Sequence, residues 1–461
     1  MTVRGFRGLP TAMLLSRRAL ILSALTAAPG FVASARAAPA FQKVDIQPGT
    51  LQLLMEGKPA TTVWRFGDGS SLPVIRAKQG ETLRLRFTNS LDRDAWLHFF
   101  GIRGPWEIMT INVPAGGEAV ECVFDPPDAG TYWIGPMADV SVMRDMGLYA
   151  MLIVEERTKL KGIVDVPVIV DDWSLEQSGR MRGRWRQPRV MLAEGRLGNR
   201  FTVNGRFYLQ YRLKADVYSR LRILNVANAR RMGLLFKGSE SLLVALDGQP
   251  VPPRVLGSKA LWLAPGQRAD VLVAPGNDLV MAVDLLEDVL EVARFLTGGG
   301  QAPELAENFT LPANPVAFVV DGQSTRAVPL VIEGGQKGGL KAVEFRGKRL
   351  AIADLVKAGI GWAFNGKAGA SEKPLFEASH GEALVIEVEN RTGFDQPIHV
   401  HGHLWRNADL PPQSPPSDTA LIPARSRMRL SMIAENPGTW AIQSLIAERA
   451  DGGLVGRFTV E

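Results

Sequence analysis

The sequence predicts an all-β protein made of three tandem Greek-key β-sandwich domains. Three observations support this prediction. Most apolar residues stand in short runs of alternating polarity, as in strands with one buried face. Turn-forming residues are abundant, with 47 glycines and 30 prolines among 461 residues. A strand that ends at an asparagine and a turn occurs three times along the chain, which indicates an internal repeat.

The first two predicted domains cover residues 38–157 and 158–300. In the first, GETLRLRFTNSL (Gly80 to Leu91) alternates apolar and polar side chains and ends at an Asn-Ser turn. The second opens with VDVPVIVDDWSL, from Val164. Within it, we expect LEDVLEVARFL (Leu286 to Leu296) to form a short helix or a peripheral segment.

The third predicted domain covers residues 340–461, and residues 301–339 are predicted to be a linker together with its start. The asparagine motif falls at Leu85–Asn89, at Ile223–Asn228 and at Ile386–Asn390, where each copy would form the same corner of a sandwich. Domains of this length are common. One large irregular β-protein remains the alternative architecture.

The N-terminus predicts an export signal, assigned to residues 1–37. SRRALIL, from Ser16, is a twin-arginine pattern, and an A-x-A cleavage site ends at Ala37. The mature chain is expected to begin near Ala38, after passage through the twin-arginine translocase to the bacterial periplasm or exterior. An ordinary Sec signal and a start at Met13 remain alternatives. No later stretch is apolar enough for a stable membrane span.

Charge and cysteine content exclude some classes of protein. The formal net charge is +6, but residues 1–37 contain five arginines and no acid, so the mature chain carries only +1. A nucleic-acid partner is therefore not expected. The one cysteine, Cys122, excludes an intramolecular disulfide and is predicted to be a buried structural thiol within a strand.

Four segments carry a family resemblance. They are AWLHFFGIRGP (from Ala95), GTYWIGPMADVSVMRDMGLYAMLIVEE (from Gly130), NRTGFDQPIHVHGHLWRN (from Asn390) and ENPGTWAIQSLIAERADGGLVGRFTV (from Glu435). They resemble the signature segments H-W-H-G-L-R, G-T-Y-W-Y-H-S-H, HPxHxHGH and PGxWxxHCHxxxHxxxGM of the multicopper oxidase family. The resemblance covers nearly the whole mature chain and implies three cupredoxin-like domains.

The resemblance also implies that most copper ligands have been replaced. A blue-copper site needs a thiolate and two imidazoles. The positions that match its ligands are Gln396, Ser444, Arg449 and Leu454. The positions that match lost histidines of the three-copper cluster are Phe100, Gly135, Met137, Gln443 and Leu445. The family uses eight histidines for that cluster and this chain has five in total, so the ordinary cluster is excluded.

Three histidines match ligand positions that are retained. His98 and His399 correspond to the two ligands of the lone, type 2 copper, and His401 corresponds to one ligand of the coupled pair. His403 matches a trailing histidine that is not a principal ligand. The triad could bind Cu(II) or Zn(II) weakly at a residual type 2-like site, or could consist of relics packed between the first and third domains. No other cofactor and no catalytic residue is expected.

Other residues with potential chemistry are given structural roles. Met137, Met143 and Met146 are predicted to fill core or loop space, with Cu(I) capture as the alternative. His380 is expected at the surface, and Glu448 has no redox task in the absence of the ligands. The remaining candidates are expected to support the fold or to form ion pairs: Asp171, Asp172, Arg103, Arg230 and Arg231.

Two functions from different classes follow. The signal type, domain plan and ligand loss resemble those of the copper-free cell-division proteins of the FtsP/SufI type. This resemblance implies a non-catalytic periplasmic scaffold that binds other proteins and stabilises the division machinery. The alternative is a divergent copper-binding protein or oxidoreductase with one copper at His98 and His399. Without a thiolate for electron entry, neither function includes the laccase reaction.

Overall fold

Strands joined by turns form most of the described chain, and its helices are only four to six residues long. The computed structural model describes residues 40–67, 73–298, 300–301, 304–305, 309–320, 322–371, 373–411 and 414–461. The predicted export signal lies outside these residues. Within them, no helix is long and apolar enough to cross a membrane.

The first sandwich alternates buried and exposed side chains along its strands. Its strands are β1 (Gln42–Leu51), β2 (Thr61–Phe66), β3 (Val74–Lys78), β4 (Leu83–Asn89), β5 (Ala95–Phe100), β6 (Thr110–Val113), β7 (Val120–Phe124), β8 (Gly130–Pro136) and β9 (Ala150–Glu155). They form two sheets, in the orders β2-β1-β4-β7 and β3-β9-β8-β5-β6. Two helical turns, α1 (Trp106–Met109) and α2 (Val140–Met143), connect strands. Along β4, the buried Leu83, Leu85 and Phe87 alternate with partly exposed polar residues, as the period of two requires.

The second sandwich has a six-stranded and a five-stranded sheet. Its elements are β10 (Ile163–Trp173), α3 (Pro188–Met191), β11 (Arg200–Val203), β12 (Leu209–Arg212), β13 (Tyr218–Asn225), β14 (Met232–Lys237), β15 (Ser241–Leu246), β16 (Gln249–Val255), β17 (Leu261–Leu263), β18 (Arg268–Val273), β19 (Leu279–Asp284) and β20 (Val289–Leu296). The sheet orders are β11-β10-β13-β18-β15-β16 and β12-β20-β19-β14-β17.

The helix predicted within Leu286–Leu296 is wrong, because Val289–Leu296 is strand β20. This strand pairs antiparallel with β19 and parallel with β12. The apolar residues of the segment are spaced three and four apart, which is compatible with a helix, and a short run does not distinguish the two structures. Pairing with β19 decides the outcome, since the sheet satisfies the backbone of the segment from both sides.

The third sandwich contains the two C-terminal signature segments. Its elements are β21 (Arg326–Gly334), β22 (Ala342–Phe345), β23 (Lys348–Ala351), α4 (Ile352–Lys357), β24 (Trp362–Phe364), β25 (Glu377–Ala378), β26 (Ala383–Asn390), β27 (Gln396–Val400), β28 (Arg406–Asn407), β29 (Thr419–Ile422), β30 (Arg427–Ile433), β31 (Gly438–Ser444), α5 (Ala447–Asp451) and β32 (Val455–Val460). The sheet orders are β24-β21-β26-β30-β28 and β25-β32-β31-β27-β29, with a β22-β23 hairpin beside them.

The same strand pairing recurs in all three sandwiches. In each, the first strand pairs in parallel with a later strand of its own sheet: β1 with β4, β10 with β13, and β21 with β26. In each, an early strand of the second sheet pairs in parallel with the last strand: β3 with β9, β12 with β20, and β25 with β32. The predicted all-β class with three tandem sandwiches is confirmed, whereas the domain boundaries stay predictions.

A buried asparagine builds the same corner in each sandwich. Its side-chain NH2 donates to at least two backbone carbonyls across the corner, and its Oδ1 accepts the N–H two residues later. The three residues are Asn89, Asn225 and Asn390. The predicted motif of the second repeat ended at Asn228, and the structure moves the equivalent residue to Asn225, because that residue ends β13.

The cores of the sandwiches determine where the histidines meet. One apolar cluster combines the first and third sandwiches and includes Leu97 of β5 and Ile398 of β27. The second sandwich has its own cluster. Since side chains alternate along a strand, the neighbours His98 and His399 lie on the opposite faces of β5 and β27 from these apolar residues. The two strands thus supply histidines to a site between the first and third sandwiches.

Candidate metal centre

The structure brings the three predicted histidines together. His98 lies on β5, His399 lies on β27, and His401 follows β27 directly; all three are buried. One potential ligand atom from each lies within 4.8 Å of the others. In the described ranges, this is the one group of three or more His, Cys, Asp or Glu side chains with such spacing. The predicted triad is therefore a real cluster.

A carboxylate orients the ring of His399. The Nδ1 atom of His399 lies 3.3 Å from Asp418 Oδ1 and 3.1 Å from Thr419 Oγ1. Burial disfavours the ionised form of Asp418, but Arg268 and His399 outweigh it and hold its pKa well below the usual range. An anionic acceptor beside Nδ1 places the proton there, which leaves the lone pair on Nε2. This is the tautomer that binds a metal through Nε2.

The other two histidines share a hydrogen bond. His401 Nδ1 lies 2.6 Å from His98 Nε2, and His98 Nδ1 lies 2.8 Å from Thr110 Oγ1. If His401 donates through Nδ1, its own Nε2 carries a lone pair. Neither this atom nor His399 Nε2 has a hydrogen-bond partner among the described residues. Two buried imidazole acceptors are thus left unsatisfied, which costs free energy unless a donor, water or a metal meets them.

Burial keeps the imidazoles of His98 and His401 uncharged. It lowers the pKa of His98 well below the ordinary value, helped by His399, and it lowers the pKa of His401 in the same way, helped by both neighbours. His403 lies outside the triad. Its Nδ1 donates to the His401 carbonyl, and burial lowers its pKa to about 4. Neutral imidazole is the form that binds metal ions.

Aromatic rings fill the space beside the triad. Phe100 stacks on Trp133 with ring centroids 4.0 Å apart, and its ring lies 5.0 Å from that of His98. A side chain at Gly135 would collide with the Trp133 ring, at 2.1 Å. Leu445 joins the same apolar cluster, and Met137 packs against it. Four positions that the resemblance assigns to histidines of the three-copper cluster therefore lie in or beside a packed apolar region.

A guanidinium occupies the region of the predicted blue-copper positions. Arg449 Nη1 donates to Gln396 Oε1 at 2.9 Å and to the Asp395 carbonyl at 2.7 Å. The guanidinium also lies over the rings of Trp362 and Phe394. Burial lowers the pKa of Arg449 to about 10, so the side chain is still a cation at neutral pH. Two of the four positions are thus joined by a charge-assisted hydrogen bond.

Family models described as multicopper oxidase match residues 48–159 and 346–461. The chain thus contains two multicopper oxidase domains, one in the first sandwich and one in the third. It is 25% identical to multicopper oxidase MmcO of Mycobacterium tuberculosis, in an alignment that covers 86% of this chain and 82% of that protein. It is 27% identical to the cell division protein FtsP of Haemophilus influenzae over 48% of each chain, which is about half the length of that relative.

Solved structures of this family share the fold. The crystal structure of a multi-copper oxidase from Pseudomonas thermotolerans matches with a TM-score of 0.78 and 27% identity, covering 92% of this chain and 99% of that one. This likeness confirms the predicted cupredoxin-like form of the sandwiches. Multicopper oxidases bind copper, and the donor set here fits a single ion: the two unsatisfied Nε2 atoms of His399 and His401 are of the kind that copper takes.

The other residues considered in the sequence analysis are buried, exposed at the surface or paired with a neighbouring side chain. Cys122 is buried, and burial raises its pKa to about 12; His380 is exposed. Met143 is in the core. Both members of the carboxylate pair have structural partners, with Asp171 accepting from Tyr149 and Asp172 paired with Arg230. The other two arginines also face acids: Arg103 pairs with Asp128 and Glu435, and Arg231 lies 3.8 Å from Asp395.

Sequence reasoning missed the groups that support the triad. Asp418 orients His399, and Arg268 bonds Asp418 through two nitrogens, at 3.0 and 2.5 Å. Neither residue stands in a segment that resembles a family signature, and a single charged residue gives no local signal. The one available signal was an acid in the turn before β29, which pairs with the β27 strand that carries His399.

Proposed function

We propose that this protein is a non-catalytic periplasmic scaffold built on the multicopper oxidase fold, which acts by binding other proteins during cell division. The contact between Arg449 and Gln396 carries the proposal. By the resemblance of their segments to the family signatures, both residues stand at blue-copper ligand positions. A buried guanidinium in that region repels a metal cation, and a hydroxyl at position 444 supplies no thiolate.

The loss of the electron-entry site has consequences for the whole reaction. Oxygen reduction to water needs several electrons delivered in turn to a multinuclear centre. The aromatic pair Phe100 and Trp133 fills space beside the triad, and the chain has too few histidines for a three-copper cluster. A laccase reaction is therefore not part of the proposed function.

The cell-division role rests on the relatives. Several curated relatives are named cell division protein FtsP, and one of them covers 88% of this chain at 22% identity. Their context suggests division proteins as the partners. The twin-arginine pattern at Arg17 and Arg18 suggests export by the twin-arginine translocase and a periplasmic location.

A second candidate function is binding of one copper ion at the triad. The observation that favours it is the pair of buried Nε2 atoms without a partner in the described part of the chain. His399 and His401 would hold the ion, and His98 would join if its hydrogen bond to His401 opened. Bound copper would supply a slow one-electron centre or a store of the metal.

One measurement separates the two candidates. The exported chain is purified without chelators or added metal, and copper and zinc are counted per chain by mass spectrometry. The scaffold proposal predicts less than about a tenth of an equivalent, unchanged after Cu(II) loading and desalting. Close to one retained copper, lost in the His399→Ala variant, would establish the second candidate instead.

The scaffold proposal also requires a partner. Crosslinking in dividing cells, followed by mass spectrometry, is expected to recover division proteins with this chain. The triple variant His98→Ala/His399→Ala/His401→Ala should fold, be exported and recover the same proteins. Loss of these proteins with the triple variant, despite normal folding, would contradict a metal-independent role.

A further inference from the structure

A cavity between the segment that joins β10 to β11 and the α5 turn of the third sandwich has the charge distribution of a binding site. Its volume is about 230 Å³, and it is lined by Arg182, Arg184, Arg186, Arg196 and, at its buried wall, Glu448. The arginines belong to a segment, residues 180–200, that contains seven arginines and a single glutamate. In a mature chain with a net charge near zero, this is a strong local excess of positive charge.

The four arginines differ in how they are engaged. Arg196 pairs with Asp145 at 2.8 Å, and Arg186 pairs with Asp139. Arg182 and Arg184 are exposed and form no ion pair with any described residue. Two guanidinium groups at the cavity are therefore free to bind an anion. Arginine suits this task, because its planar donors match two oxygens of a phosphate or carboxylate.

Glu448 adds a second requirement that a ligand of this cavity must meet, besides binding to the arginines. It is only 1% exposed, and neither of its carboxyl oxygens accepts a hydrogen bond of ordinary geometry from a described residue. The backbone N–H of Arg196 lies near enough to favour the ionised form, but burial dominates and raises the pKa of Glu448 to about 7. A carboxyl group in this state calls for a partner that can both donate and accept, and a hydroxyl does both.

We propose that this cavity binds a small hydroxylated oxyanion, whose phosphate or carboxylate contacts Arg182 and Arg184 and whose hydroxyl hydrogen-bonds Glu448. The site is independent of the histidine triad and of the scaffold function. It uses the arginine-rich segment and Glu448 of α5, to which the scaffold role assigns no task. The cavity has room for a molecule of roughly the size of an amino acid or a triose phosphate.

Three soluble probes test the two requirements separately. Calorimetric titration of the purified exported chain at low salt uses glycerol 3-phosphate, inorganic phosphate and glycerol. Glycerol 3-phosphate is expected to bind at one site about tenfold more tightly than phosphate, since a hydrogen bond to a buried charged group has about that effect. Glycerol is expected not to bind. Equal affinities for glycerol 3-phosphate and phosphate would overturn the role of Glu448.

Variants locate the site. The double variant Arg182→Gln/Arg184→Gln is expected to weaken glycerol 3-phosphate binding at least about tenfold. Arg189→Gln is the matched control: this arginine is exposed on the same segment but does not line the cavity, and its loss should leave affinity unchanged. Glu448→Leu should reduce the affinity for glycerol 3-phosphate to that for phosphate and leave phosphate binding intact.

The surface variants keep the test decisive if Glu448→Leu does not fold. An unchanged affinity in the double arginine variant would overturn the proposal, as would a loss equal to that in Arg189→Gln. Vesicles with and without phosphatidylglycerol provide the last comparison. Binding to the vesicles without any binding of soluble glycerol 3-phosphate would replace the small ligand by a lipid headgroup and overturn the proposal as stated.

Discussion

Arg449 holds its charge in the interior without a counter-ion at hydrogen-bond distance. Its guanidinium donates to the Gln396 side chain and to backbone carbonyls, so neutral dipoles and aromatic faces stabilise the cation. Replacing only one of the hydrogen-bonded groups in this arrangement should destabilise the fold. A buried hydrogen-bonded group that loses its partner keeps the full cost of its desolvation.

The variant Arg449→Met should therefore lower the free energy of unfolding by about 3 kcal/mol, because it strands Gln396 and two carbonyls in the interior. Urea titration followed by tryptophan fluorescence measures the change. Arg427→Met is the control, since Arg427 is 80% exposed in its pair with Glu389 and should change stability by less than about 1 kcal/mol. Equal effects of the two variants would contradict a structural role for Arg449.

His403 predicts how stability depends on pH. Burial lowers its pKa to about 4 in the folded chain, against 6.5 in the unfolded chain. The unfolded state thus binds a proton first, and the stability that His403 contributes is present above pH 6.5 and is lost as pH falls towards 4. The loss is about 3 kcal/mol, and His98 and His401 act in the same direction.

The variant His403→Gln should flatten that part of the pH profile, measured by urea unfolding at intervals between pH 7 and pH 4. His380→Gln is the matched control, because His380 is exposed and should leave the profile as it is. A His403→Gln profile that is as steep as that of the parent chain would show that His403 is not buried in neutral form.

At the scale of the element, the strand corner is the unit that the chain repeats. Asn89, Asn225 and Asn390 make the same three hydrogen bonds at the end of corresponding strands. Alanine at any one of them removes these bonds and leaves at least two buried or partly buried carbonyls without their donor. Each substitution should cost about 2–3 kcal/mol, with similar values for the three.

Thermal unfolding of the three single variants tests this prediction. The control is Asn277→Ala, since Asn277 is exposed in a turn and forms no such corner. If only one of the three variants lost stability, the three corners would not contribute equally to the stability of the fold.

The strands and corners could be predicted from the sequence where a local pattern of residues specifies them. Alternation in GETLRLRFTNSL and the asparagine corners gave the sandwiches. The segment from Leu286 was misread, because its helical spacing is overridden by pairing with β19. At the site, the family resemblance placed His98, His399 and His401. The bond between Arg449 and Gln396 and the support from Asp418 join residues far apart in sequence, and no local pattern encodes such contacts.

At the scale of the whole molecule, buried ion pairs join the three sandwiches. Arg268 of β18 is fully buried, bonds Asp418 beside β29 and donates to the Thr131 carbonyl of β8. One side chain thus contacts all three sandwiches and also fixes the acid that orients His399. Breaking a buried pair on one side leaves an uncompensated charge.

The variant Arg268→Met should destabilise the chain by about 3–5 kcal/mol, measured by urea unfolding. Arg326→Met is the control, because its pair with Glu382 is exposed and should be worth less than about 1 kcal/mol. Two separate unfolding transitions in the Arg268 variant would show that this residue holds the sandwiches in one cooperative unit. An unchanged midpoint would contradict that role.

The hydrogen bond between Arg449 and Gln396 also opposes single substitutions to histidine at either position. Restoring a histidine at position 396 alone would leave Arg449 without a main acceptor, and restoring one at position 449 alone would strand the amide. Either single substitution would therefore lower the stability of the fold, and a metal could not offset this loss until the other ligands were also present. Under the proposed function, the Arg449 cation stands where the family resemblance implies a copper ligand, so the fold would not depend on copper supply and a blue-copper site would require several simultaneous changes.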